Sequence, residues 1–428
     1  MTTTSTPPPL AQPRLRSWPP DAGTLQCPWP LFEELRELAP VFHCPEPGPD
    51  GTRPFVVTGF PEVQQALVDH HTFASDLTGV LPSHGANMLP AVAPEERTFY
   101  QDSHLFFSDG EDHTVKRSWA YMVGERARLA GFRPVIQEVV DALIDDFIDR
   151  GECDFRAEFT MKMPLALVRR MMDLPPEVDP LVKAVSAGIE SSENNPNLTQ
   201  ADIDAFGQTV LGLLSLLAGV IRERHVAPKD DYVSQIVAMQ VARDGELDVN
   251  ALSRNLAMTI FGADHAMGGH LADVVARLGS DADLQDRVRD DRDLIRSLHL
   301  ETLRLDIPVP WIFRHCVSDT TLGGVAIPAG SLVLLVLASG NRDPQEFPLA
   351  EAFDVDRDNL DRSVMTFGRG AHRCVGMPVA RIITEVTVNR LLDRLRDIRV
   401  DTAKSNLEPE PSFVFRIAPA VHLTFSKA

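Results

Sequence analysis

The chain has 428 residues, 44% of them hydrophobic and 24% charged, a balance that excludes a disordered or fibrous polymer and supplies ample apolar material for a core. Lys and Arg number 41 against 61 Asp and Glu, a net charge of −20, so the protein as a whole repels nucleic acid and anionic membrane. The length exceeds the ~250–300 residues at which single cores usually stop growing, which leaves either two domains or one unusually large one.

Residues 1–27 are rich in Thr and Pro and lack the apolar run of a signal peptide or anchor, so a flexible lead-in is expected there. LFEELRELAP (31–40) has helical spacing and stops at Pro40, while RPFVVTGF (53–60) reads as a strand. Residues 77–104 carry Gly79, Pro82, Gly85 and Pro90 without periodicity, the mark of a long loop that can serve as a lid or pocket wall. From about 113 to 305 almost everything reads as helix. IQEVVDALIDDFIDRG forms one amphipathic stripe ending at Gly151, and Thr199 with Asp202 makes a capping box for the helix that follows the break at 192–197. The stretch 247–279 reads as a single helix about 50 Å long, which must pass through the middle of the protein. Beyond it, TTLGGVAIPAG (320–330) predicts a hairpin turning at Gly323–Gly324, LVLLVLA (332–338) a buried strand, 376–396 a helix, and SFVFR and HLTFS two short closing strands. The texture predicts one mainly α-helical domain with small β-sheets over 28–428.

Five cysteines (Cys27, Cys44, Cys153, Cys316, Cys374) are odd in number, dispersed and without C-x-x-C spacing, so neither a disulfide framework nor a zinc site is indicated and a reducing, cytoplasmic setting fits. Cys374 stands apart. It lies in Phe367-Gly-Arg-Gly-Ala-His372-Arg-Cys374-Val-Gly376-Met-Pro378, just before a helix start, where glycines let backbone N–H groups converge and the helix dipole favours a thiolate. Arg369, His372 and Arg373 surround that position with positive charge, and Gly376 lets something flat approach the backbone.

At every defined position this stretch resembles the haem-ligand pattern of the cytochrome P450 family, F-x-x-G-x-H-x-C-x-G. The resemblance implies the P450 fold, with a long central helix crossing the haem, Cys374 as the iron ligand of haem b, Phe367 on the sulfur side and His372 at a propionate. Further stretches are similar to the family's: Glu301-Thr-Leu-Arg304 to its E-x-x-R pair, Arg314 after Pro308 and Pro310 to a propionate-binding Arg, and His113…Arg117 to its H-x-x-x-R. The central helix departs from the family. Gly262 and Asp264 match A/G-G-x-D/E-T, but His265 stands where the family carries Thr. His265 then either relays protons with Asp264, binds polar groups of a substrate, ligates iron, or packs as a core histidine.

The function implied is O2-dependent hydroxylation or epoxidation of a mid-sized apolar small molecule, natural product or catabolite, by a monomer. Electrons would come from a ferredoxin or flavodoxin and its reductase, docking near Arg369, Arg373 and Arg381. The alternative keeps the haem and uses His265 as a distal acid-base in peroxide-driven oxidation, coupling, ring formation or dehydration. A non-enzymatic haem carrier is a third reading. By position in the family, the 77–104 loop, the 186–200 segment, Phe261, Val309, Trp311, Ile312, Phe413 and Val414 would wall the substrate pocket.

Overall fold

The architecture follows from one element, the 32-residue helix Val249–Ser280. In the computed structural model, which describes residues 13–48, 51–77, 80, 105–121, 126–194, 199–412 and 415–428, it starts where Asp248 accepts a hydrogen bond from the Ala251 amide, an ordinary N-cap. Its N-terminal half buries Leu252, Leu256 and Ile260 among helices Met163–Met172, Gln200–Val226 and Tyr232–Asp244. Its C-terminal half buries Leu271, Val275 and Leu278 in a second core with helices Arg126–Asp145 and Met377–Arg394. One helix therefore joins these two cores.

Two glycines make that close packing possible. A Cβ on Gly268 would lie 2.7 Å from the Thr160 carbonyl oxygen, and one on Gly269 would lie 2.9 Å from the Ile417 side chain. Each accepts the ~1 kcal/mol helical cost of glycine in exchange for backbone contact. The helix runs without a break through Gly262.

Thr199 and Asp202 do form the reciprocal capping box that opens helix Gln200–Val226. This helix is long and apolar enough to cross a membrane by length and composition. Its Val210, Leu213, Leu217 and Ile221, however, are buried in the helical core. Helix Arg126–Asp145 ends before the expected stop. The chain tightens into the 3-10 turn Ile148–Arg150, and Gly151 at φ 71° swings it into strand Glu152–Asp154.

The remaining sheets are small. Strands Val41–His43, Phe55–Val57, Ser331–Leu335, Ile312–Cys316 and Phe73–Ala74 pair in that order, with only Phe55–Val57 and Ser331–Leu335 parallel. The LVLL run is interior on both sides, as its unbroken hydrophobicity requires. Thr320–Leu322 and Val325–Ile327 make the expected hairpin, with both turn glycines at positive φ. Strand His422–Lys427 pairs with Leu395–Val400 and Glu152–Asp154.

Two expectations fail here. The lead-in is ordered from residue 13: Leu15 and Trp18 are buried, helix Ala22–Gln26 is capped by Asp21, and Arg16 pairs with Glu46 at 2.8 Å. Proline-rich composition hid two large apolar anchors, whose burial stabilises the described part of the segment. Nor is SFVFR a strand over its described residues; Ser412, Phe415 and Arg416 are irregular, and the Arg416 amide donates to the Pro308 carbonyl.

Candidate active site

The cysteine loop is a closed turn. Gly368 and Gly370 sit at φ 65° and 68°, where side chains are strained. A Cβ on Gly370 would also meet the Leu67 carbonyl oxygen at 2.8 Å. The Cys374 amide donates to the Phe367 carbonyl at 2.8 Å, and helix Met377–Arg394 begins directly after Gly376, with Pro378 in its first turn. Desolvation pushes the Cys374 thiol up, while the Gly376 and Met377 amides and the charges of Arg117 and Arg373 pull it down. The amide nest and the cations are present, and Cys374 itself is exposed, so its sulfur is open to a ligand while the surrounding protein still disfavours the free thiolate. That balance suits a thiolate that forms on binding a metal.

The loop is anchored from behind. Glu301 and Arg304 on helix Leu294–Leu305 are fully buried and pair in a two-point fork, Nε to Oε2 at 2.6 Å and Nη2 to Oε1 at 2.7 Å. Arg357 and the Asp354 amide also donate to Glu301. Arg304 caps the carbonyls of Asn341, Ala350 and Ala352. The Asn341 side chain then accepts from the Met365 amide and donates to Thr366, next to Phe367. The pair is structural.

Segments remote in sequence meet on the flank of the loop. His113 and Arg117 lie on helix Gly110–Tyr121. The His113 ring packs against His372 at a tilt of 41° with centroids 4.0 Å apart, and Arg117 donates to the Arg373 carbonyl at 2.7 Å. His372 Nε2 lies 3.1 Å from Asp109, whose other oxygen accepts the Ser75 and Asp76 amides. Asp109 also acts on buried Arg314, whose guanidinium donates to the Phe313 carbonyl. Burial pushes Arg314 down to about 10 and, helped by His372 and Arg117, His113 down to about 4. His113 is therefore a neutral hydrogen-bonding group here. Its Nε2 is buried without a partner among the described residues, a costly state for a polar atom. An orphaned imidazole nitrogen, a desolvated guanidinium and an amide-ringed sulfur form a donor set that fits a flat dianionic porphyrin with a metal. A Cβ on Gly376 would lie 3.7 Å from the Cys374 sulfur, so glycine keeps the space beside it open.

Helix Gly110–Tyr121 also links this flank to the central helix. In the turn preceding it, Leu105–Phe107, the Phe106 ring lies 3.6 Å from the position of a Gly262 Cβ. Two residues on, Asp264 accepts a hydrogen bond from Ser186 at 2.9 Å. His265 places Nδ1 3.6 Å from the same carboxylate oxygen and stacks on Phe415 with centroids 5.0 Å apart.

The expected pocket walls divide. Phe261 packs half-buried against the helical core, and Ile312 against the sheet core. Val309 is half-buried beside the Pro308–Arg416 link. Trp311 is corrected: its indole is core, buried edge-on between Trp18 and Phe32. Phe413, Val414, nearly all of the 77–104 loop and part of the 186–200 segment lie outside the described residues. Sequence reasoning missed Asp109, Ser186 and Phe106. It also missed the buried chain His270–His299–Thr384 (2.8 and 3.1 Å), whose His299 stacks on Phe367. Nothing local marks these residues, because their roles depend on partners tens to hundreds of positions away.

A family model described as Cytochrome P450 matches residues 274–423. Among curated relatives, the 6-deoxyerythronolide B hydroxylase of Saccharopolyspora erythraea is 28% identical, the match covering 85% of this chain and 87% of that one. The cyclomarin C epoxidase CymV of Salinispora arenicola is also 28% identical, covering 82% and 85%. The crystal structure of CalO2 superimposes with a TM-score of 0.82 over 96% of this chain and 99% of that one at 21% identity, a likeness of fold.

Proposed function

We propose that the chain, matched by the Cytochrome P450 family model over residues 274–423 and similar over most of its length to P450 relatives, is a haem-thiolate monooxygenase that binds haem b and hydroxylates or epoxidises a mid-sized, largely apolar small molecule with O2. The observation that carries this is the convergence of His113, Arg117 and His372 beside the Cys374 loop. Cys374 would ligate the iron; Arg117, Arg314 and His372 would meet the propionates, with His113 contributing its orphaned nitrogen as a hydrogen bond. When bound, haem supplies oxygen activation and electron transfer.

The chain's own residues do the rest. Arg304 and Glu301 hold the loop rigid through Asn341, and the two glycines at positive φ set the direction of the sulfur. Asp264 and His265 sit side by side on the central helix, one acid and one imidazole, and would hold and pass protons for the reaction. Phe106, Phe261 and Phe415 would supply apolar surface near them, which suits a substrate positioned by shape. The relatives' hydroxylation and epoxidation support this substrate class. Arg369, Arg373 and Arg381 give a locally basic face for an acidic ferredoxin or flavodoxin and its reductase, in a cytoplasmic monomer.

A second reading, peroxide-driven or otherwise non-standard chemistry, draws on His265 in place of the family's Thr. The decisive measurement is spectral and catalytic together. Protein expressed with haem precursor is coloured, and its reduced carbonyl complex loses the thiolate-type band in Cys374→Ser. A band unchanged by that substitution overturns the assignment. Turnover that requires ferredoxin and its reductase favours the first reading, and turnover with hydrogen peroxide alone that is lost in His265→Ala favours the second.

A further inference from the structure

Ser186 lies on helix Val178–Asn194, 78 residues before the carboxylate it contacts, and its side chain is only 7% exposed. Its hydroxyl donates to Asp264 Oδ2 at 2.9 Å, and His265 Nδ1 is 3.6 Å from that same oxygen, just beyond hydrogen-bond reach. Phe415 holds the His265 ring from the C-terminal segment. The carboxylate oxygen is therefore shared unequally, with the hydroxyl in full contact and the imidazole held slightly off.

We infer that Ser186 is a positioning residue for the distal acid. It fixes the Asp264 carboxylate in one orientation, occupies the oxygen that would otherwise close on His265, and makes the seating of helix Val178–Asn194 part of how the pair handles protons. The inference rests on the proposed reading that Asp264 and His265 are that pair. A tether with no role in proton handling would loosen the helix packing and nothing else.

The test uses the haem-loaded ferric protein and cyanide, a small ligand that binds after losing its proton to a distal group. Affinity is read from the Soret shift across pH. A hydroxyl bonded to a carboxylate favours the charged form. Ser186→Ala is therefore expected to move the acid-side midpoint of the cyanide profile to higher pH and to weaken binding below it by about three- to tenfold, the usual worth of one oriented hydrogen bond. Ser186→Thr, which keeps the hydroxyl, restores the wild-type midpoint. Ser186→Cys, nearly isosteric and a weak donor, moves it as alanine does, which covers a failure of the alanine variant to load haem. Asp264→Asn must also move the profile. If Asp264→Asn shifts the midpoint while Ser186→Ala and Ser186→Cys leave it in place, the role of Ser186 is overturned and the acid assignment stands. If none of the three shifts it, the proton-handling reading falls and takes this inference with it.

Discussion

Replacing Glu301 with Gln probes how the thiolate loop is kept in place. The carboxylate receives four donors, Arg304 Nε and Nη2, Arg357 Nε and the Asp354 amide, in a site with no exposure to solvent. An amide of the same shape offers one oxygen and an NH2 group, so at least one arginine N–H would face another donor and two guanidinium charges would lose their counter-ion. Removing one partner of a buried pair typically costs about 3–5 kcal/mol, set against a total stability of about 5–15 kcal/mol. A rescue by making both positions apolar is not expected, because Arg304 also satisfies three backbone carbonyls. In urea unfolding followed by circular dichroism, Glu301→Gln should lower the unfolding free energy by about 3 kcal/mol or more. Haem should leave the variant faster, since the disturbance passes through Asn341 to Met365 and Thr366. A loss below about 1 kcal/mol with unchanged haem retention would refute the view that this fork holds the loop.

Other expectations are equally specific. Gly268→Ala drives a Cβ to 2.7 Å from the Thr160 carbonyl oxygen, and since neither backbone can yield cheaply it should destabilise by about 1–3 kcal/mol despite alanine's better helix propensity; a stabilised variant in thermal melts contradicts the packing. His299 is held down at about 3, mainly by burial, so below about pH 6.5 the unfolded chain protonates first. The folded state should then lose up to about 1.4 kcal/mol per pH unit on that account, from there down to the folded value. Urea titrations over that window should show a shallower acid loss in His299→Leu, and parallel slopes would exclude the linkage. On the first reading, His265→Thr should retain donor-dependent O2 turnover while Asp264→Asn should reduce it by about 10²-fold or more. Product and peroxide yields per electron supplied decide between these outcomes, and turnover abolished by His265→Thr but spared by Asp264→Asn reverses the roles.

Sequence alone determined what depends on neighbours a few positions apart. The length of the central helix, the Thr199–Asp202 cap, the Gly323–Gly324 hairpin and the Cys374 loop were legible because helix periodicity, capping and glycine conformations are short-range physics. The Glu301–Arg304 pair was visible as a spacing, although Glu33/Arg36 in the same chain has that spacing too. Only the tertiary structure shows that one pair is fully buried and lies behind the loop. Likewise only the fold brings Asp109 and His113 against His372, holds His113 neutral, turns Trp311 from expected pocket wall into core against Trp18, and sets Ser186 on Asp264. Burial and long-range pairing are properties of the packed chain: desolvation and partner choice are fixed by residues up to hundreds of positions distant, and no local pattern encodes them.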